Sequence, residues 1–399
     1  MTPDGTRHLP LAPLWASAFR PFCALGAVYG VVLMSGWVAA HAGLVRLPYG
    51  DLSPAMWHAH EMLFGFAFAI ICATVLTALP GWAQTPEIRG GALAALVGLW
   101  LAGRAAFWLR NQLPPPVVLA VSVSLVTALI VVLAPQLLRV ANRHYLSLLA
   151  VLAGMLVGEV LFLRGLVGAG FAVALYAVMV VYVLKAGVLT PVFTGNELRA
   201  LGRGDQAPFV LPLEYAAIAA LVALAALDVG GAPSRWRGLV ALAAFALHAV
   251  RLARWRGWKV LDRPLVASMH AGYAWFVVAL LLHALGDFGS AGAARAWLHA
   301  FTVGALGSMM LALMTRIALR HTGRPLALPP AIVASYALLQ VAALLRVAGG
   351  ALGLGEAWLA IAGVAWIFAF AIYLVLFGRI LVSPSLPRVA VRPLGGDVR

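Results

Sequence analysis

PPVVLAVSVSLVTALIVVLA, residues 115–134, carries no charged side chain and is long enough to cross the hydrocarbon layer once as a helix. In a soluble protein a run like this occurs once, in the middle of a core. Here it recurs, near residues 18–40, 57–80, 90–109, 145–163, 166–189, 209–228, 238–254, 265–284, 297–316, 329–349 and 355–377. Backbone in lipid must satisfy its own hydrogen bonds, so the reading is all-α. The predicted architecture is a polytopic transmembrane helical bundle of about 12 crossings, one integral membrane domain over residues 1–399.

Composition agrees. Of 399 residues, 63% are hydrophobic and 10% are charged, too few charges for a water-facing surface. The 40 glycines and 23 prolines fall within and between the apolar runs, where membrane helices tolerate both. A net charge of +15 invites a nucleic-acid reading, but the basic residues sit in short loops and no nucleic-acid fold signature occurs, so none is expected as a partner. With the amino terminus inside, 20 of the 28 Lys and Arg residues fall in inside loops and tails, among them Arg20, Arg251, Arg316 and Arg324. The excess orients the chain as a multi-pass membrane protein with both termini cytoplasmic. RLARWRGWKVLDRP, residues 251–264, reads as an anchor on membrane lipid headgroups. The first 20 residues, which include His8, read as a short retained tail. The two halves show no convincing sequence repeat.

Only Cys23 and Cys72 occur, both in predicted spans, so neither a disulfide framework nor a thiolate cluster is expected. Attention moves to histidine. W-H-A-H-E-M, residues 57–62, opens the second span. His58 and His60 are two positions apart and point about 200° from each other on a regular helix, whereas His58 and Glu61 share a face. His270 and His283 lie roughly 20 Å apart along the ninth span and mark opposite membrane faces. This arrangement predicts an outer group of four histidines, His58, His60, His283 and His299, from three helices, and they are the candidate metal ligands. Two neutral imidazoles can hold a haem iron axially, and the others a further transition metal. No C-x-x-C-H occurs, so such a haem is non-covalent. Near the end of the tenth span, His321 with Arg316 and Arg324 can cradle an anionic headgroup or simply mark the inside boundary. His41 and His144, in connecting regions, read as structural. Glu159 suggests a proton path or a pair with Arg164. Pro191 and Gly195, in KAGVLTPVFTGNE (185–197), predict the end of regular helix.

Several stretches together resemble the NnrS family of bacterial membrane proteins. They are SAFRPF (17–22), WHAHEMLFGF (57–66), LWLAGR (99–104), GVLTPVFTGN (187–196), DRPL (262–265), the HAGYAW run from His270 and RIALRHTGR (316–324). They span almost the whole chain. The resemblance implies a haem- and copper-containing protein of nitric oxide detoxification or denitrification, with haem b and copper as cofactors. It extends the cofactor-binding candidates to His58, His60, His270, His283, His299 and His321, beside Arg316 and Arg324 from the residue reading; the catalytic candidates are His58, His60 and Glu61. The implied chemistry is an oxidoreductase reaction in which nitric oxide is reduced to nitrous oxide with electrons from quinol or another membrane donor. The alternatives are a nitric oxide sensor or tolerance factor without turnover, and a membrane transporter.

Overall fold

A computed structural model describes residues 12–387, so His8, Arg388, Arg392 and Arg399 lie outside the described residues. Among the described residues no strand occurs, and twelve helices are long and apolar enough to cross a membrane. They are α1 Phe19–His41, α2 Pro54–Gly81, α3 Gly90–Trp108, α4 Pro115–Leu137, α5 Leu146–Leu163 and α6 Val167–Ala200. The second six are α7 Leu211–Val229, α8 Ser234–Arg254, α9 Pro264–Asp287, α10 Ala291–His321, α11 Pro330–Leu352 and α12 Glu356–Val382.

Local chemistry sets their ends. Pro54, Pro115, Pro264 and Pro330 open α2, α4, α9 and α11, where a missing N–H costs nothing. Ser53 and Ser290 cap α2 and α10 by accepting from the amides of Met56 and Ala293, each at 3.3 Å. Gly353 stops α11 in the left-handed region (φ 67°), where a Cβ would be strained.

Consecutive helices pack side by side, and α12 returns against α1 to close a ring. Small residues allow the tightest approaches. A Cβ on Gly158 of α5 would stand 2.7 Å from that of Ala174 on α6. The second and tenth spans are the most enclosed of the twelve. Helix α10 also reaches α1, α2 and α12, so the interior is built around these two.

Both are interrupted in the same way. After His60, α2 widens into a π-helical stretch, Glu61–Ala67; after His299, α10 does the same over Ala300–Gly307. Such stretches concentrate at functional sites because they alter the angular register of what precedes them. Each contains a glycine five residues past its histidine. Gly65 lies against the ring of Tyr29, and Gly304 against that of Trp275.

Two helices run past their expected ends. Helix α6 continues through Pro191 and Gly195 to Ala200 instead of ending near residue 189. A tertiary contact and a local one hold the turn that proline weakens: Arg251 of α8 lies against Gly187 and donates to the carbonyl of Val183 (3.4 Å), and within α6 the Thr194 hydroxyl donates to the Thr190 carbonyl (2.8 Å). Helix α10 begins at Ala291 and ends at His321, because its polar ends are helical although they are not hydrophobic.

Candidate functional site

An apolar cavity of about 520 Å³ lies between α1, α2, α6, α10, α11 and α12. His58 from α2, His299 from α10, Arg346 from α11 and His41 from the end of α1 reach it; Met34, Met56 and Met62 supply thioethers, and Trp366 closes one side. The Trp37 ring holds His58 in place by stacking at 4.2 Å between centroids and 23° between planes. Nδ1 of both His58 and His299 is buried without a hydrogen-bond partner. Unpartnered imidazole nitrogens beside an apolar void are costly unless something else occupies them. His41 is tied by Nδ1 to the Trp37 carbonyl (3.1 Å), and its Nε2 stands 3.9 Å from Glu356. Volume, apolar lining and a few convergent polar groups are the features of a small-molecule site.

His60 is turned away from this cavity, in keeping with the 200° between it and His58. It stacks on Phe107 (3.6 Å between centroids) and enters a fully buried charged cluster. Its Nδ1 is 3.0 Å from Glu61 Oε1, and its Nε2 is 3.8 Å from Glu159 Oε1. Arg104 of α3 pairs with Glu61, and its other nitrogen approaches Glu159 at 3.7 Å. Trp108 Nε1 (2.9 Å) and the Tyr29 hydroxyl also donate to Glu61 Oε2. The expected His58–Glu61 pair is therefore absent, because the helix widens at Glu61 and carries the carboxylate toward α3. Glu159 faces Arg104 and His60 rather than Arg164, which lies just past the end of α5.

His283 is elsewhere again. Its Nε2 lies 3.3 Å from Asp228 and its Nδ1 3.2 Å from Asp287. Arg237 bridges the same two carboxylates at 3.2 and 2.6 Å, and the Tyr176 hydroxyl donates to Asp228 at 2.7 Å. The four outer histidines therefore occupy three places: His58 and His299 share the cavity, while His60 and His283 each join a separate ion cluster. Among the described residues, no group of three or more His, Cys, Asp or Glu is arranged to hold a metal ion.

The other candidates do not join the cavity. His270 Nε2 is 2.8 Å from the Thr194 hydroxyl. The Arg316 guanidinium lies over the Phe193 ring at 3.6 Å. His321 packs by the Phe19 ring, 5.9 Å between centroids, and Arg324 sits beyond it with Nη1 buried. His299 and His321 are separated by roughly 33 Å along α10, so one small ligand cannot meet both. His248 Nδ1 lies 2.7 Å from the Tyr273 hydroxyl.

The sequence reading took His41 as structural and gave Arg346 no role. His41 closes the first apolar run where a boundary histidine is unremarkable, and Arg346 stood out only as one charge in an apolar segment. That is the pattern of an intramembrane charge with a functional partner.

Fold and cavity together define a polytopic helical membrane protein with an internal apolar cavity. The chain matches the NnrS protein family over residues 13–385, nearly its whole length, and belongs to that family. It is accordingly a nitric oxide-related membrane protein. No curated protein matches it.

Proposed function

We propose that the cavity between α2 and α10 is a haem site at which nitric oxide binds, and that the protein is a nitric oxide reductase-type oxidoreductase. The observation that carries this reading is the pair of imidazoles, His58 and His299, on one apolar cavity, each with a buried Nδ1 that has no hydrogen-bond partner among the described residues. The donor set suits a haem. His58 and His299 would hold the iron, and Arg346 would face an anionic edge of the macrocycle. Copper finds no matching set, since no three His, Cys, Asp or Glu side chains converge among the described residues. No step is assigned to it.

When bound, haem supplies the one-electron chemistry that the side chains lack. The protein's own part is to shape the pocket. Trp37 fixes the plane of His58, the methionines and Trp366 keep the space apolar, and an uncharged diatomic gas partitions into it from lipid without a desolvation penalty. Reduction balances as two nitric oxide molecules, two electrons and two protons giving nitrous oxide and water. Quinol or another membrane donor supplies the electrons, in the bacterial inner membrane.

The test is absorption spectroscopy of detergent-purified protein, oxidised and dithionite-reduced, before and after nitric oxide, with haem and copper quantified on the same sample. A stoichiometric non-covalent haem that shifts on nitric oxide addition, with nitrous oxide accumulating under turnover, is the expected result. A nitric oxide shift without nitrous oxide would make the protein a sensor. Absence of haem after haem-replete expression would overturn the reading and leave transport to be tested by uptake.

A further inference from the structure

The charged cluster behind the cavity has a charge inventory that does not close. Arg104, Trp108 and Tyr29 all donate to Glu61, and Arg104 balances its charge as an ion. With Glu61 as that acceptor, the His60 tautomer that fits carries its proton on Nδ1, 3.0 Å away, and leaves Nε2 to accept. What remains is Glu159, 2% exposed, with Oε1 lacking any hydrogen-bond partner. As an ion it would leave a buried net charge of −1 beside apolar Phe107 and Phe162, a state that costs several kcal/mol in a low-dielectric interior. One extra proton brings the cluster to neutrality. His60 Nε2 lies 3.8 Å from Glu159 Oε1.

We propose that Glu159 is a proton-carrying residue, holding one exchangeable proton that it passes between the aqueous end of the bundle and the cavity. Position supports exchange. Helix α5 ends at Leu163, so Glu159 lies about 6 Å along the axis from the following loop, and Arg104 stands equally close to the end of α3. Cavity and cluster share α2. Its widened stretch gives Met62 and Leu63 to the cavity and Glu61 to the cluster. A charge appearing in the cavity would act on the proton affinity of Glu159 through this weakly screening interior. The groups that face Glu159 are His60 and Glu61 from α2 and Arg104 from α3. Helix α6, packed on Gly158, presents Gly170 and Ala174, which do not titrate; Arg110, further out, is paired with Asp51 at 2.7 Å. Delivery to the cavity rests on the haem reading; the exchangeable proton does not.

The experiment is infrared difference spectroscopy of the full-length detergent-solubilised protein, in H₂O and D₂O, comparing wild type with Glu159→Gln and Glu159→Asp. The expected result is a carbonyl stretch of a protonated carboxylic acid that shifts in D₂O, is lost in Glu159→Gln and returns at an altered frequency in Glu159→Asp. A wild-type spectrum without an acid band that Glu159→Gln removes would overturn the proposal, and so would a band that does not shift in D₂O. In haem-loaded protein, the midpoint potential should fall with rising pH in wild type and lie flat in Glu159→Gln. Equal slopes would overturn delivery to the cavity. A preparation without haem counts against the cavity reading alone, because the infrared comparison requires no haem.

Discussion

Replacing Arg104 by methionine removes a cation and leaves its shape. In the native protein Arg104 is 6% exposed, and its guanidinium lies between two carboxylates, Glu61 and Glu159. Removing one partner of a buried pair leaves the other uncompensated and costs about 3–5 kcal/mol. Three donors to Glu61 survive, from Trp108, Tyr29 and His60, so the loss should fall toward the lower end of that range. Neutralising the orphan should reverse much of it: Arg104→Met with Glu61→Gln should recover more than half, because an amide can accept from Trp108 and donate in turn. The assay is reversible unfolding in mixed micelles across a denaturing-detergent series, on wild type, both single variants and the double. A loss below about 1 kcal/mol for Arg104→Met, or strictly additive losses in the double, would refute the description of the cluster as a coupled, desolvated network.

Other consequences are equally specific. His58→Leu and His299→Leu should each abolish the nitric oxide-induced spectral shift, whereas His270→Leu and His321→Leu should retain it; loss in all four would place the ligand elsewhere. At Gly65 an added side chain meets the Tyr29 ring, so Gly65→Val should destabilise the protein by about 1–3 kcal/mol by displacing that ring from Glu61, and Tyr29→Ala should relieve part of this in micellar unfolding. In the loops outside the membrane, the amide of Gln206 and then the Arg199 side chain hold Asp205 below the usual carboxylate range, and Arg203 does so first for Asp262. A depressed folded value means that these contacts stabilise the protein above the ordinary Asp range and are lost as pH falls through the depressed value. Hydrogen-exchange protection at residues 201–210, taken relative to the intrinsic rate at each pH, should therefore fall below about pH 4 and not above it. Unchanged protection on acidification would show that the Arg203–Asp262 link does not hold the loop.

The twelve spans were legible because each depends on a local property, about twenty residues with scarcely a charge. The site was legible only in part. That His58 and His60 must diverge follows from helix geometry, and they do. Which of them meets His299 depends on how α2 and α10 are rotated in the bundle, and nothing in EMLFGFA (61–67) distinguishes a widened turn from a regular one. Arg104 and Glu159 were recognisable as intramembrane charges, but their partnership joins α3 to α5 through α2 and leaves no spacing to read. Glu159–Arg164 looked attractive for the opposite reason, being near in sequence. Proximity along the chain says little where five residues turn a helix well past one full revolution. At Pro191 the local rule failed because neighbouring helices, invisible to a one-dimensional reading, hold the weakened turn.

The two widened stretches bear on how this architecture can be retuned. A π-helical turn holds one residue more than the α-helical turn it replaces, so it can absorb or shed a residue while the helix on either side stays intact. Removing that surplus from Glu61–Ala67 would swing His58 through about 100° and draw it about 1.5 Å along the axis, with the half of α2 beyond Phe68 left in place. The same holds for His299 relative to Ser308–His321. Each helix thus carries two registers, one that seats it in the bundle and one that aims its histidine, and a single insertion or deletion resets the second without disturbing the first.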